Sequence, residues 1–218
     1  MATVIKENYL KALYILDQKD TEISVSDLGK LLKVSKPTVN DMIKKLEKRG
    51  WLNYKKYKPI SFTTKGRKAA ALIIRKHRLT EMFLVKIMGL GWEEVHEIAE
   101  QIEHIKSDRF FDRMDEILGF PNEDPHGSPI PNKQGKVKEP NYLPLTECEE
   151  NTSVTLKGLN NSSKELLIYL NNKEIQLGTK LRINKKEPFD QSINLSYGNH
   201  REVDISHTVA KSLLVEKS

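Results

Sequence analysis

Histidine and glutamate recur at helical spacing in one stretch of the chain, between residues 77 and 104. Positions three or four apart lie on the same face of an α-helix. At 3.6 residues per turn, the residues of the second half of this stretch span an arc of roughly 100°. The first half contributes a pair and the second half a set of four: His77 and Glu81, then His96, Glu100, Glu103 and His104.

This set of imidazoles and carboxylates predicts a metal site. Mixed nitrogen and oxygen ligands suit a divalent first-row metal such as manganese, iron, cobalt, nickel or zinc better than calcium or copper(I). The alternative is that both helix faces are simply solvated, because a single His/Glu pair at this spacing says little. Two such helices, the second with several potential ligands on one face, favour the metal site.

Helices must position these side chains. The spacing of apolar residues predicts a long helix over residues 65–88, which Gly89 and Gly91 end, and a second helix over residues 92–107. One more helix is predicted over residues 108–118. The apolar residues of these helices could pack against a second copy of the chain, so we expect a homodimer.

Composition limits the class of protein. The chain has 218 residues, 38% hydrophobic and 30% charged, enough for a core and for two domains. Its net charge of +6 is compatible with binding to nucleic acid or to an anionic surface. The single cysteine, Cys148, excludes an internal disulfide, and we expect a cytoplasmic protein. The N-terminal segment does not read as a signal peptide and no apolar run is long enough to cross a membrane, so no membrane partner is expected.

The first 66 residues follow the pattern of a winged helix-turn-helix. Two short helices joined by a tight turn suggest the helix-turn-helix, with Ser26 and Ser35 as candidate N-caps. Two alternating segments then predict a β-hairpin, which would form the wing. The predicted elements are helices over residues 4–17, 27–32 and 36–48, and strands over residues 51–57 and 60–63.

The third of these helices is the expected recognition helix. Its first turn carries small polar groups and free backbone N–H groups, which suit phosphates and base edges. Lysines of the helix and the wing would contact phosphates, whereas Asp41 could accept from a cytosine amino group or point away. The alternative is a winged helix that contacts protein. The predicted DNA-binding residues are Ser35, Lys36, Pro37, Thr38, Asn40, Asp41, Lys44, Lys45, Lys55, Lys56 and Lys58.

The chain changes character after Gly119. Six prolines predict a linker over residues 121–150. His126 in this linker could be a metal ligand, although a histidine in a loop usually is not. Glutamates around Cys148 should raise the pKa of its thiol, so no reactive nucleophile is expected.

The remaining residues predict a small β-barrel of about 65 residues, near the lower size at which a domain folds alone. Short alternating segments indicate its strands, and turn-forming glycines separate them. The predicted strands cover residues 153–157, 180–184, 192–196 and 202–205, and the predicted helices cover residues 163–171 and 207–213.

In this order, the features resemble the diphtheria toxin repressor family of iron- and manganese-dependent transcriptional regulators. The matching motifs are SKPTV (35–39), RKHRLTE (75–81), VHEIAEQIEH (95–104) and PHGSPIP (125–131). The resemblance implies a mainly α fold with small β content. Its expected parts are a winged helix-turn-helix (1–66), a helical metal-binding and dimerisation domain (67–120), a proline-rich linker (121–150) and an SH3-like, FeoA-like domain (151–218).

The resemblance also implies two metal positions. The first would use His77, Glu81 and His96. The second would use Glu100, Glu103 and His104, together with Asn8 from the N-terminal helix.

Departures from the family pattern bear on the choice of metal. Iron-type members have a cysteine where this chain has Glu100, and a hard carboxylate there favours Mn2+ over Fe2+. Keeping His96 resembles the iron-type arrangement. Lys11 stands where manganese-type members have a glutamate. The SH3-like domain of iron-type members supplies two further ligands, and the corresponding positions here lie near Ser163 and Leu166.

The implied function is repression of metal-uptake genes when metal is plentiful. Mn2+ is the expected cofactor, Fe2+ is the alternative, and other divalent first-row metals could substitute in vitro. The expected partners are a double-stranded DNA operator with two-fold symmetry and a second copy of the chain. Two other classes stay open: a metalloenzyme, since a His/Glu site can activate water, and a winged-helix regulator with no metal response. No nucleophile or substrate loop supports the enzyme.

Overall fold

The computed structural model describes residues 2–18, 22–56, 58–138 and 140–217. Eight α-helices and eight β-strands lie in these ranges. They form two compact units. The first comprises residues 1–80, 99–122 and 130–138, and the second comprises residues 81–98, 123–129 and 139–218.

Three helices begin the first unit. Ser24, rather than the predicted Ser26, caps the second helix, because that helix starts two residues earlier and the Ser24 hydroxyl accepts the N–H of Asp27 at 3.1 Å. Ser35 caps the third helix as predicted, accepting the N–H of Thr38 at 3.4 Å. The three helices are α1 (Ala2–Asp17), α2 (Val25–Leu32) and α3 (Lys36–Lys48).

The wing is shorter than the alternation of its residues predicts. Strands β1 (Leu52–Asn53) and β2 (Ser61–Phe62) pair antiparallel. Between them the N–H of Lys58 donates to the carbonyl of Lys55 at 3.0 Å, so the chain turns where the first strand was predicted to continue. Residue 57, the predicted end of that strand, lies outside the described residues.

The core of the first unit joins these elements to the first half of α4 (Thr64–Lys86). Gly66 lets α4 start against the wing, since a Cβ there would lie 1.8 Å from the carbonyl oxygen of Trp51. The core includes Leu10, Leu13, Leu28, Val39, Ile43, Leu46, Leu52, Ile60 and Ile74, all at most 5% exposed.

Helix α5 (Val95–Ile102) is shorter than the predicted helix over residues 92–107. The N–H of Glu103 still donates to the carbonyl of Ala99 at 2.9 Å, but the next bonds tighten into a turn. Glu103 and His104 therefore lie in the turn that follows the helix. The next helix, α6 (Asp108–Ile117), begins after its N-cap Ser107. The predicted helix over residues 92–107 would include this cap, and the turn between α5 and α6 could then not form.

The C-terminal part of the second unit is an antiparallel sheet. Its strand order is β3-β8-β4-β5-β6-β7. Two strands, β3 and β8, were not predicted, because no turn residue separates β8 from the helix before it and β3 contains a proline. The elements are β3 (Leu143–Pro144), a 3-10 helix (Leu145–Glu147), β4 (Ser153–Leu159), α7 (Lys164–Asn172), β5 (Lys180–Lys186), β6 (Ile193–Tyr197), β7 (His200–Ile205), α8 (His207–Ser212) and β8 (Leu213–Lys217).

Alternate residues of these strands, such as Val154, Leu156, Leu181 and Ile183, form the core of the second unit. Cys148 lies in that core, and burial raises the pKa of its thiol. The direction agrees with the prediction, but burial is the main cause and the neighbouring Glu147 is a minor one. Among the described residues, no helix has the length and apolar composition needed to cross a membrane.

Candidate metal centre and nucleic-acid interface

A buried carboxylate, Glu103, is the centre of the first cluster, which lies entirely in the first unit. Its side chain is surrounded by two nitrogen groups from other helices. His77 Nδ1 on α4 lies 2.5 Å from Glu103 Oε2. Lys11 Nζ on α1 lies 2.8 Å from Oε1 and 3.0 Å from Oε2. The residue is only 1% exposed, so its charge needs these partners.

Lys11 also forms an ion pair with Glu100 of α5, which lies three residues before Glu103 in the chain. The lysine itself is 8% exposed. Its ammonium group therefore lies between two carboxylates, beside an imidazole. The protein thus places the positive charge of a lysine among side chains that could bind a metal ion.

The charges around Glu103 keep it ionised. Burial alone would raise the pKa of Glu103, but the hydrogen bond with His77 and the charge of Lys11 outweigh burial, and the net pKa lies below its usual range. An ionised carboxylate is the form that binds a metal ion, so the site is prepared for a cation.

Helix α1 contributes further polar groups. His104 Nδ1 lies 2.6 Å from a carboxylate oxygen of Glu7, and His104 Nε2 lies 3.7 Å from Glu103 Oε1. The side-chain oxygen of Asn8 is buried and has no hydrogen-bond partner among the described residues. Glu7 was not predicted, and the only signal for it is its position next to Asn8.

A second cluster lies entirely in the second unit and is centred on Glu81, which is 3% exposed. His96 Nδ1 lies 3.2 Å from Glu81 Oε1. His126 Nδ1 lies 3.9 Å from Glu81 Oε2 and 4.0 Å from Asp124 Oδ1. His77 precedes Glu81 by four residues on α4. Asp124 was not predicted to lie at this site, because it belongs to a loop and helical periodicity identifies only residues of helices.

Both clusters fit a divalent cation. Three potential ligand atoms lie within 4.8 Å of one another in the group His77, Glu100 and Glu103, and also in the group Glu81, Asp124 and His126. Imidazole nitrogens and carboxylate oxygens are the donors that manganese, iron(II) and zinc accept. The buried, unpartnered oxygen of Asn8 is a further donor suited to a cation.

Ser163 and Leu166 of the SH3-like domain are poorly suited to bind a metal ion. The hydroxyl of Ser163 caps α7 by accepting the N–H of Leu166 at 3.4 Å. The side chain of Leu166 is apolar and packs against the core of the second unit.

The predicted DNA-binding residues lie on α3 and the wing. Lys36, Lys44, Lys56 and Lys58 line a groove of about 710 Å³ together with Asn40 and Tyr54. The hydroxyl of Tyr54 donates to the side-chain oxygen Oδ1 of Asn40 at 3.0 Å and so connects the wing to α3. Apart from half-buried Asn40, the predicted residues are exposed: Ser35, Lys36, Pro37, Thr38, Asp41, Lys44, Lys45, Lys55, Lys56 and Lys58.

Family models match most of the chain. Residues 1–60 match the iron-dependent repressor N-terminal DNA-binding domain. Residues 63–132 match the iron-dependent repressor metal-binding and dimerisation domain. Residues 143–217 match the FeoA domain.

Known proteins are similar to the chain. The iron-dependent repressor IdeR of Mycobacterium leprae is 37% identical to this chain. The matched segment covers 57% of this chain and 54% of the length of IdeR. The transcriptional regulator MntR of Geobacillus kaustophilus is 34% identical over 57% of this chain and 87% of its own. A solved manganese-dependent transcriptional repressor in complex with manganese is 32% identical, covers 98% of this chain and 100% of its own, and has a TM-score of 0.87.

A DNA-binding winged helix followed by a metal-binding, dimerising helical domain and a FeoA domain defines a class of metal-dependent transcriptional repressors. The chain belongs to the iron-dependent repressor family, which includes IdeR and MntR. The predicted fold class and family are thereby confirmed. Members are DNA-binding repressors rather than enzymes, and this removes the metalloenzyme alternative.

Proposed function

We propose that this protein represses metal-uptake genes in response to Mn2+. The observation that supports this most strongly is the Glu103 cluster, in which α1 of the DNA-binding domain meets α4 and α5 around a buried carboxylate. A metal ion at this place would act on the helix that packs against the recognition helix. Solved structures of manganese-dependent regulators have the same fold.

The metal ligands of the proposal fall into two sets. Glu100, Glu103 and His104 would hold one ion with Asn8, and His77, Glu81 and His96 would hold the other. The bound ion supplies positive charge that neutralises the carboxylates. The ionised state of Glu103 and its burial keep the first set ready for that charge.

Coupling to DNA would run through α1. Leu10 and Leu13 of α1 belong to the same buried core as Val39 and Ile43 of α3, so a shift of α1 would move α3. Through this core, the polar residues of α1 at the metal cluster would hold the recognition helix α3 in position when metal binds. The energetic condition is that the metal binds the DNA-competent arrangement more tightly than the free one.

We propose that the chain acts as a homodimer on an operator with two-fold symmetry. Phe110 and Ile117 on α6 and Phe120 after it are 41%, 48% and 64% exposed, which suits apolar residues that meet a second copy. Two recognition helices at a fixed spacing would then read the two half-sites. The α3 and wing residues named above would contact the DNA, in a cytoplasmic protein.

The domains we assign are residues 1–66 for DNA binding, 67–120 for metal binding and dimerisation, 121–150 for the linker and 151–218 for the SH3-like domain. Manganese is favoured over iron(II) because Glu100 offers a hard oxygen donor. Iron(II) is the second candidate, and it is supported by His96, which lies 3.2 Å from Glu81.

The test is a metal titration of the apo-protein with its own promoter DNA, followed by fluorescence anisotropy at fixed ionic strength. Mn2+, Fe2+ and Zn2+ are compared for the unaltered chain and for Glu103→Gln and Glu100→Cys. We expect Mn2+ to raise DNA affinity, Glu103→Gln to remove that rise, and Glu100→Cys to shift preference towards Fe2+. A stronger response of the unaltered chain to Fe2+ would reassign the metal. DNA affinity that ignores metal would overturn the proposal.

A further inference from the structure

We propose that His126 is a further metal ligand, which shares a divalent ion with Glu81 and His96. The inference deepens the proposed function and rests on it. His126 belongs to the linker rather than to the helices that carry the predicted ligands. Its side chain is buried, with 2% of the residue exposed, and its ring lies against Trp92 with 6.0 Å between ring centroids.

The hydrogen bonds of His126 fix which ring nitrogen is available. Nε2 lies 2.9 Å from the backbone carbonyl oxygen of Trp92. A carbonyl oxygen only accepts, so Nε2 must carry the proton and donate it. In the neutral ring the lone pair then belongs to Nδ1. Histidine ligands of protein metal sites commonly donate their other N–H to a backbone carbonyl in this way.

That lone pair faces two carboxylates. Nδ1 lies 3.9 Å from Glu81 Oε2 and 4.0 Å from Asp124 Oδ1, distances too long for hydrogen bonds. A nitrogen lone pair and anionic oxygens repel each other in a buried place, and a cation between them removes the repulsion. Glu81 presents its other oxygen, Oε1, to His96. One carboxylate is thus flanked by two imidazoles.

The loop that carries His126 is held in place independently of any metal. Asp124 Oδ1 accepts the N–H of His126 at 2.8 Å and the N–H of Ser128 at 2.9 Å. The carbonyl of His126 accepts the N–H of Leu159 on β4 at 3.0 Å. The same residue therefore bonds to the sheet through its backbone and faces α4 through its ring. An ion bound here would fasten the linker to α4 and give the sheet domain a part in metal sensing.

The experiment observes the histidine rings of the full-length, 15N-labelled protein by long-range proton–nitrogen NMR while Zn2+, a diamagnetic probe, is added. We expect the Nδ1 signal of His126 to move together with the His96 ring, while Nε2 of His126 stays protonated. Comparison with spectra of His126→Gln and His96→Gln assigns the signals.

The outcomes separate the inference from the function on which it rests. If the His96 ring responds to Zn2+ and Nδ1 of His126 does not, or if that Nδ1 stays protonated, His126 is not a ligand and the proposed function is untouched. If no histidine responds, both fail. By equilibrium dialysis, His126→Gln should lower Zn2+ affinity at this position about ten- to a hundredfold. His200→Gln, a change at a partly exposed histidine of β7 that pairs with Glu174, is the matched control and should leave the affinity unchanged.

Discussion

Lys11 brings a positive charge of the chain itself into the Glu100 and Glu103 cluster. A metal ion bound by the same carboxylates would compete with this ammonium group. The side chain would therefore neutralise the cluster in the metal-free protein, and its presence should raise the metal concentration needed for binding. One lysine would thus help to set the threshold of the response.

Lys11→Met should destabilise the metal-free protein by about 3 kcal/mol, because it removes the cation paired with the buried carboxylate of Glu103. With saturating Mn2+ the loss should largely disappear, since the ion replaces the ammonium group. Urea denaturation with and without Mn2+ measures both values. Lys65→Met, which alters an exposed lysine of α4, is the control and should change neither. An equal loss with and without metal would show that Lys11 does not occupy the metal's place.

Tyr142 has a titration that can be observed directly. Its hydroxyl donates to Glu123 Oε1 at 2.9 Å. Burial, followed by this carboxylate, raises the pKa of Tyr142 to about 12 from 10.0. A raised pKa stabilises the folded chain below pH 10, and that contribution is lost as the pH rises from 10 towards 12.

Tyr142→Phe should remove one tyrosinate transition near pH 12 from the ultraviolet absorbance titration, and the difference spectrum isolates it. Glu123→Gln should lower the pKa of Tyr142 towards its ordinary value, because the charged acceptor is gone. A difference spectrum that titrates near pH 10 would contradict the assignment.

At the scale of elements, the contact between the linker and β4 requires glycine. Gly127 has a φ of +81°, and a Cβ there would lie 2.2 Å from the carbonyl oxygen of Lys157. Gly178 has a similar φ of +89°, but nothing lies within 4 Å of its Cβ position. The two positions share the conformational requirement, but another part of the chain comes close only at Gly127.

Gly127→Ala should therefore lower the free energy of unfolding by about 2 kcal/mol more than Gly178→Ala, because overpacking adds to the backbone strain. Chemical denaturation of the two variants gives the difference. Equal losses would mean that the linker moves away from β4 at little cost.

The recognition helix should contact DNA phosphates through its exposed lysines. Lys44→Ala on α3 should weaken binding to all DNA sequences alike and reduce the slope of log affinity against log salt by about 1, as expected for one lost phosphate contact. Lys180→Ala, at an exposed lysine of β5, is the control. Anisotropy at several salt concentrations measures the slopes. An unchanged slope for Lys44→Ala would place the DNA elsewhere.

Periodicity and capping residues predicted the helices well, because α1, α3 and α4 have clear apolar faces and Ser35 is a strong cap. Periodicity and capping residues did not predict the elements whose bounds depend on tertiary contacts. The end of α5 depends on the turn before Ser107, and β8 depends on pairing with β4. The histidines and glutamates of α4 and α5 that cluster in the structure could be found from their spacing. Glu7, which meets His104 across 97 positions of the chain, could not, because no local pattern connects residues so far apart.

In the whole molecule, the proposed function requires a free-energy coupling between metal binding and DNA binding. The proposed metal ligands and the proposed DNA-binding residues lie on different elements of the chain, and the shared core of α1 and α3 would connect them. Linkage is reciprocal: if metal raises DNA affinity by some factor, operator DNA must raise metal affinity by the same factor. A coupling of 1–3 kcal/mol corresponds to a factor of about 5 to 150.

The most direct measurement is therefore the Mn2+ affinity of the full chain by calorimetry, with and without its promoter DNA at fixed ionic strength. We expect tighter Mn2+ binding in the presence of DNA, by the same factor by which Mn2+ tightens DNA binding in the anisotropy titration. The same Mn2+ affinity with and without DNA would contradict it, because the metal sites would then have no energetic connection to the recognition helices.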